Sequence, residues 1–259
     1  ESPTGEDLAT YIRYKYGRPV EQWAETPSGL GNSLKSYAAM KIFSSSAYDD
    51  DKVFIETLYE ESPLSRIIAE TGLGKVWHDS GKSVSTEYMV NDSIGVLSCI
   101  RFIPPSDYES VSVPSLSGVY PAGSLTVVRN NSEDGVVSYT FTDNSGQTVL
   151  TRILSGGNHI DTYYIYDVRK MLRAVITPSA IDIVNLNGSL SSSVFEDFCY
   201  AYGYDSKGRC TSFRMPGSGV YTTLYSPSGR ILFTQSPRQA ASNIWTFDIP
   251  DLLGRTALS

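Results

Sequence analysis

The sequence predicts an all-β protein: antiparallel hairpin repeats forming a curved or spiralling sheet, with a less regular N-terminal part. Three observations lead there. The chain has 18 Tyr and 21 Gly but only 19% charged residues, a mixture that suits strands and turns over helices. Breaks between aromatic or β-branched runs fall on Asn, Asp, Ser and Gly, which accept the backbone angles of tight turns. The stretch "YAYGYDSKGRC", Tyr200 to Cys210, returns in altered form along the second half of the chain.

With 259 residues, 41% of them hydrophobic, the chain can bury a real core as one all-β domain or two smaller ones. Two regions are expected: residues 1–118, mostly β with a degenerate repeat, and residues 119–259, a hairpin array continuous with the first region and cut off in mid-repeat. From the N-terminus, "TYIRYKYGRPVEQW" reads as a strand and "TPSGLGNS" as a Gly-rich connection. "LKSYAAMKIF" fits either a strand or a short helix. A strand follows near Val53 to Tyr59 and, past Pro63, an extended or helical turn. "STEYMVNDS" and "GVLSCIRFI" read as two strands, and "PPSDYESVSVPSLSG" as a polar loop. Strict alternation begins in "SLTVVRNNSEDGVVSYTFTDNSGQTVLTRIL", where the two polar clusters are hairpin signals.

Aligning the turns exposes the repeat. Asp143 stands three before Gly146, Asp167 three before Lys170, Asp205 three before Gly208, Ser226 three before Gly229 and Asp251 three before Gly254, at intervals of 24, 38, 21 and 25 residues. An irregular interval near twenty to twenty-five, with one insertion, marks a repeat array. The aromatic strand supplies an apolar face, Asp or Ser at the turn bonds its own backbone, and Gly takes the left-handed position. Arg209, Arg230 and Arg255 open the return strands, within reach of acids in the next repeat. A lone hairpin is marginal, so neighbouring repeats must pair edge to edge.

The pattern Y-x-Y-D-x-x-G-R resembles the YD repeat of Rhs proteins, with "YGYDSKGR" at Tyr202 to Arg209 its nearest copy. The order "YEESPLSRIIAETGLGKVWHDSGKSVSTEYMVN", "YPAGSLTVV", "DTYYIYDVRKMLRAVITP" is similar to bacterial Rhs-associated proteins with a domain of unknown function ahead of their YD repeats. "YIRYKYGRPVEQW" resembles a degenerate repeat before it. Lys170 and Met171 replace Gly-Arg, and Ser226 replaces the turn Asp. The resemblance implies a wall element: in Rhs and related toxin-complex proteins such repeats wind into a sheet that spirals into a hollow shell able to enclose a C-terminal toxin. It implies a bacterial secreted or cell-surface protein of the polymorphic-toxin kind, whose partners are the rest of the same polypeptide, with further YD repeats and an enclosed effector.

Other chemistry is thinly represented. The formal charge of −7 and pI near 4.9 argue against nucleic acid, which needs clustered Lys and Arg. No apolar run approaches the roughly 18–20 residues of a membrane span, and "ESPTGEDLAT" lacks the basic start and apolar stretch of a signal peptide; the chain reads as part of something longer. Cys99, Cys199 and Cys210 read as buried thiols, with a Cys199–Cys210 disulfide conceivable across a hairpin. Ser155, His159 and Asp161 form a nominal Ser/His/Asp set without a G-x-S-x-G frame. Asp49, Asp50 and Asp51 lack the spacing that wraps Ca²⁺, so no cofactor or metal is expected. Trp77, beside His78, is the candidate for stacking on a glycan; packing in the core is the plainer reading, for Trp23 and Trp245 too. The leading expectation is a scaffold without enzymatic activity. A carbohydrate- or surface-protein-binding module is the alternative, and a polysaccharide-acting enzyme comes third.

Overall fold

The computed structural model describes residues 11–23, 37–247, 249–250 and 256–258. They fall into two compact units, Glu1–Tyr88 with Val128–Ser138, and Met89–Val127 with Tyr139–Ser259. The described fold is antiparallel β-sheet with a minority of helices.

The first unit contains β1 (Tyr11–Lys15), β2 (Arg18–Trp23), α1 (Tyr37–Tyr48), β3 (Phe54–Tyr59), β4 (Ile67–Thr71), α2 (Lys75–Ser80) and nearly all of β5 (Val84–Val90). The strands pair in chain order. The stretch expected to be one strand is a hairpin: β1 and β2 pair antiparallel around Tyr16 and Gly17, both with positive φ. A two-residue turn of that kind twists with its strands; it carries no Asp. The segment that fitted strand or helix is helical from Tyr37 onward. Its Met40 packs on Trp23 of β2 and Phe54 of β3, all three at most 5% exposed, so Trp23 is core. Asp50 tethers α2, accepting from the amides of Lys52 and Lys75 at 2.7 Å.

In the second unit a 3₁₀ turn (Gly95–Leu97) stands where a strand was expected to begin. It is followed by a separate pair, β6 (Ile100–Ile103) and β7 (Ser115–Val119), so the expected polar loop ends in a strand. β8 (Thr126–Asn131) and β9 (Val137–Thr142) contribute residues to both units. Then come β10 (Thr148–Ser155), β11 (Asn158–Tyr166), β12 (Leu172–Ile176), α3 (Pro178–Asn187), α4 (Ser192–Phe198), β13 (Cys199–Tyr204), β14 (Cys210–Arg214), β15 (Val220–Tyr225), β16 (Ile231–Gln235), α5 (Pro237–Ala241) and β17 (Thr246–Phe247). These strands also pair in chain order, and β18 (Ile249–Pro250) and β19 (Thr256–Leu258) form a separate pair. α3 and α4 occupy the long 38-residue interval of the repeat. Pro178 opens α3 and Gly188, left-handed, closes it; Ser191 caps α4.

A meander puts alternate connections on opposite rims. In the second unit one rim therefore carries the turns at 143, 167, 205 and 226, and the other carries the Gly156–Gly157 turn, α3 with α4, the 215–219 loop and α5. One sheet face is the core: Phe141, Leu150, Tyr163, Ile165, Ala174, Ile176 and Ala201 are each at most 4% exposed. Burying side chains of the larger kinds contributes about 1.5–3 kcal/mol each. The opposite face is half-exposed, with Tyr202, Phe213 and Tyr221 in a ladder of rings 5.3 and 6.1 Å apart.

Candidate functional site

The repeat residues converge on the turn rim. Oδ1 of Asp143 accepts from the amides of Ser145 and Gln147 at 2.8 and 2.9 Å; Oδ1 of Asp167 does the same for Arg169 and Met171, and Oδ1 of Asp205 for Lys207 and Arg209, at 2.9–3.0 Å. Ser226 accepts from the Arg230 amide through Oγ at 3.0 Å. In every case the amide three residues on donates to the carbonyl of the first residue at 2.9–3.0 Å. That donor is left-handed, with φ of +80°, +64°, +78° and +90° at Gly146, Lys170, Gly208 and Gly229. A side chain there costs about 1–2 kcal/mol. Lys170→Gly is therefore expected to stabilise the protein by about 1 kcal/mol, read as a raised urea midpoint with unchanged m-value; an unchanged midpoint would contradict the strain.

The turns are also strapped to one another. Gln147 Nε2 donates to the carbonyl of Lys170 at 3.0 Å, Arg169 Nη1 to that of Asp205 at 2.9 Å, and Arg209 Nη1 to that of Ser226 at 2.9 Å. Arg209 also holds its own Asp205, lies 4.8 Å over the Tyr225 ring, and Tyr225 donates back to the carbonyl of Cys210 at 2.9 Å. The same clasp recurs in the first unit. Arg18 donates to the carbonyl of Glu60 at 3.2 Å and lies over Tyr59, which donates to the carbonyl of Pro19. Arg66 lies 4.1 Å over Tyr88, which donates to the carbonyl of Ile67. The arginine expected to meet acids of the next repeat thus meets a ring and a carbonyl there, and its acid is its own turn residue. Arg230 is exposed; Asp251, Gly254 and Arg255 lie outside the described residues.

Glu60 is the turn acid of the first unit. Its bonds from Arg66 Nε and Nη2, 2.9 and 2.8 Å, together with Ser62, hold its carboxyl down to about 2. A depressed carboxyl contributes stability above its unfolded range and loses it as pH falls through the folded value. NMR titration should place the Glu60 midpoint near 2, and Arg66→Leu should return it toward the ordinary range; a normal midpoint in the parent protein would remove the clasp.

An insert, residues 91–125, lies over the core face of the second unit. Asn91 closes its base, accepting from the Leu125 amide and donating to the carbonyl of Pro121. Arg152 holds both carboxylate oxygens of Asp161 at 2.7 and 2.6 Å and reaches the carbonyls of Val96 and Ser98; both side chains are 5% exposed. Desolvation pulls the Arg152 guanidinium down, but Asp161 outweighs it and raises it above the ordinary value. Arg173 donates to the carbonyls of Asp107 and Ser110, and Ser212 to that of Glu109. Tyr108 lies 4.0 Å from the Arg169 guanidinium. None of these fasteners has a local sequence pattern; a buried Arg in an alternating strand is the single hint.

The remaining candidates stay apart. Asp161 is taken by Arg152, whereas His159 and Ser155 are exposed on neighbouring strands. Trp77 on α2 is half-buried, with Lys82 Nζ 5.2 Å over its ring; Trp245 is half-buried against Phe233. His78 packs on Phe54, its Nε2 3.1 Å from that residue's carbonyl oxygen. The cysteines are free thiols. Cys210 pairs with Tyr204, five positions along β13 from Cys199, about 17 Å at strand rise. Burial pushes Cys99 up to about 12 and Cys199 to about 11, far from the reactive range. Among the described residues no cluster of His, Cys, Asp and Glu could hold a metal ion, and no helix is long and apolar enough to cross a membrane.

The fold and the strapped rim define a class: an open antiparallel meander of two-stranded repeats. Residues 1–90 match the family described as Domain of unknown function (DUF6443). The chain is similar to a segment of the crystal structure of TcdB2-TccC3, at 13% identity and a TM-score of 0.53, over 95% of this chain and 10% of that one. It is likewise similar to the structure of a mutant Photorhabdus luminescens Tc holotoxin pore, at 14% identity and a TM-score of 0.53, again over 95% and 10%. At such identity the likeness is one of fold. The chain spans a tenth of those solved chains, and no curated protein sequence matches it.

Proposed function

We propose that this chain is a wall segment of a larger Rhs-like, YD-repeat protein, secreted or displayed at the cell surface, whose sheet encloses or presents another part of the same polypeptide. The observation that carries the reading is the strapped rim: in the second unit the turns at 143, 167 and 205 each bind the next, a unit that can be added repeatedly, as a wall needs. The tenfold longer chains that share the fold support it. Its action is mechanical rather than catalytic. Cryo-EM of the full-length polypeptide is expected to show these strands within a continuous sheet around a lumen that holds another domain. A detached compact lobe would overturn the reading, and hydrolysis of a polysaccharide panel by the purified protein would overturn the absence of catalysis.

A further inference from the structure

We propose that a cleft in the first unit, between the β1–β2 turn and the β3–β4 turn, receives a segment of a partner polypeptide that seats an acid-flanked aromatic side chain against Leu58. The cleft encloses about 420 Å³ and is lined by Tyr16, Val20, Leu58 and Tyr59, with Lys15 and Glu61 among its walls. Leu58 stands two residues before the turn acid Glu60, and that position recurs. Phe141 before Asp143 and Ile165 before Asp167 are 0% and 4% exposed. At Gly203, before Asp205, the Glu109 carbonyl occupies the space of a side chain. Leu58 is 49% exposed and Tyr16 90%.

The second unit shows what such a position accepts. Its own insert, bent at Tyr108 and Glu109, runs past Gly203 and gives the carbonyls of Asp107, Glu109 and Ser110 to Arg173 and Ser212. Between the turns at 167 and 205 it places Tyr108 against Arg169. The first-unit cleft repeats the parts: Arg18 spans from one turn to the next over Tyr59, and an apolar floor is supplied by Leu58 and Val20. Charge selects further. Glu60 is already held by Arg66; Lys15 and Glu61 each pair with no opposite charge among the described residues, and Lys15, 5.5 Å from the Tyr16 ring centroid, stands on the side of the aromatic wall. An aromatic residue beside an acid, as Tyr108 stands beside Asp107 and Glu109, satisfies both the floor and the free cation.

The test uses a labelled synthetic peptide of residues 104–113, PPSDYESVSV, added to the intact protein and followed by fluorescence anisotropy. Saturable binding is expected, weakened at least about tenfold by Leu58→Asp, by Tyr16→Ala and by Tyr108→Ala in the peptide. Both protein substitutions are at exposed positions, and an unchanged melting curve verifies their folding. Absence of saturable binding at about 1 mM peptide overturns the proposal. So does binding indifferent to both substitutions, which would place the peptide elsewhere. Leu58-dependent self-association without peptide would make the occupant a second copy of the chain and overturn it equally.

Discussion

Gly203→Ala is expected to lower stability by about 2–3 kcal/mol and the melting temperature by about 5–10 °C. The backbone there is unstrained, so the cost is steric. A Cβ would overlap the Glu109 carbonyl oxygen and the Ser212 hydroxyl and lie 2.7 Å from the Glu109 carbonyl carbon. The hydroxyl can rotate away; the carbonyl belongs to a backbone pinned on either side by Arg173. The sheet and the insert cannot both keep their places. Hydrogen exchange should quicken at residues 107–112 before it quickens in β13. An alanine variant that melts with the parent protein would mean that the insert does not lie on this strand.

Asp161→Ala should cost about 3–5 kcal/mol, because it leaves a buried guanidinium without its counter-charge. Arg152 would keep the carbonyls of Val96 and Ser98, which bind a cation but do not neutralise it. The double variant Arg152→Met with Asp161→Leu should recover much of the loss, since an apolar pair of similar volume removes both desolvation penalties. Urea denaturation of the parent, Arg152→Met, Asp161→Leu and the double variant measures the coupling, and additive effects would mean the pair is not coupled. Arg214 offers the contrast. Its Nε and Nη2 are buried without partners, and Glu196 is 3.6 Å from Nη1. Arg214→Met is therefore expected to be neutral or stabilising, and a loss above about 1 kcal/mol would show that those donors are satisfied.

The all-β class was legible because its signals are local. Asp143, Asp167 and Asp205 bond amides two and four residues away, so residue type and spacing carry the turn. The β1–β2 hairpin was read through as one strand because Tyr16 and Gly17 hold the turn without an Asx residue. α3 and α4 went unread inside the long interval, although Pro178, Gly188 and Ser191 mark their ends. The clasps were illegible for another reason. Arg209 reaches a carbonyl 17 residues away and Arg18 one 42 residues away; which turn meets which is decided by pairing order and by the size of each insertion. Chemistry alone favoured acids as partners, but each acid is already claimed by its own turn.

The straps also make the two edges of the second unit mechanically unequal. Along the rim of Asp143, Asp167, Asp205 and Ser226, side-chain bonds fix the distance between successive hairpins, as stitching fixes the spine of a book. At the other edge the hairpins are joined by helices and loops of unequal length, with fewer lateral bonds, such as that from the Gly217 amide to the carbonyl of Glu196. Load applied across the strands would open the loose edge first and leave the stitched one closed.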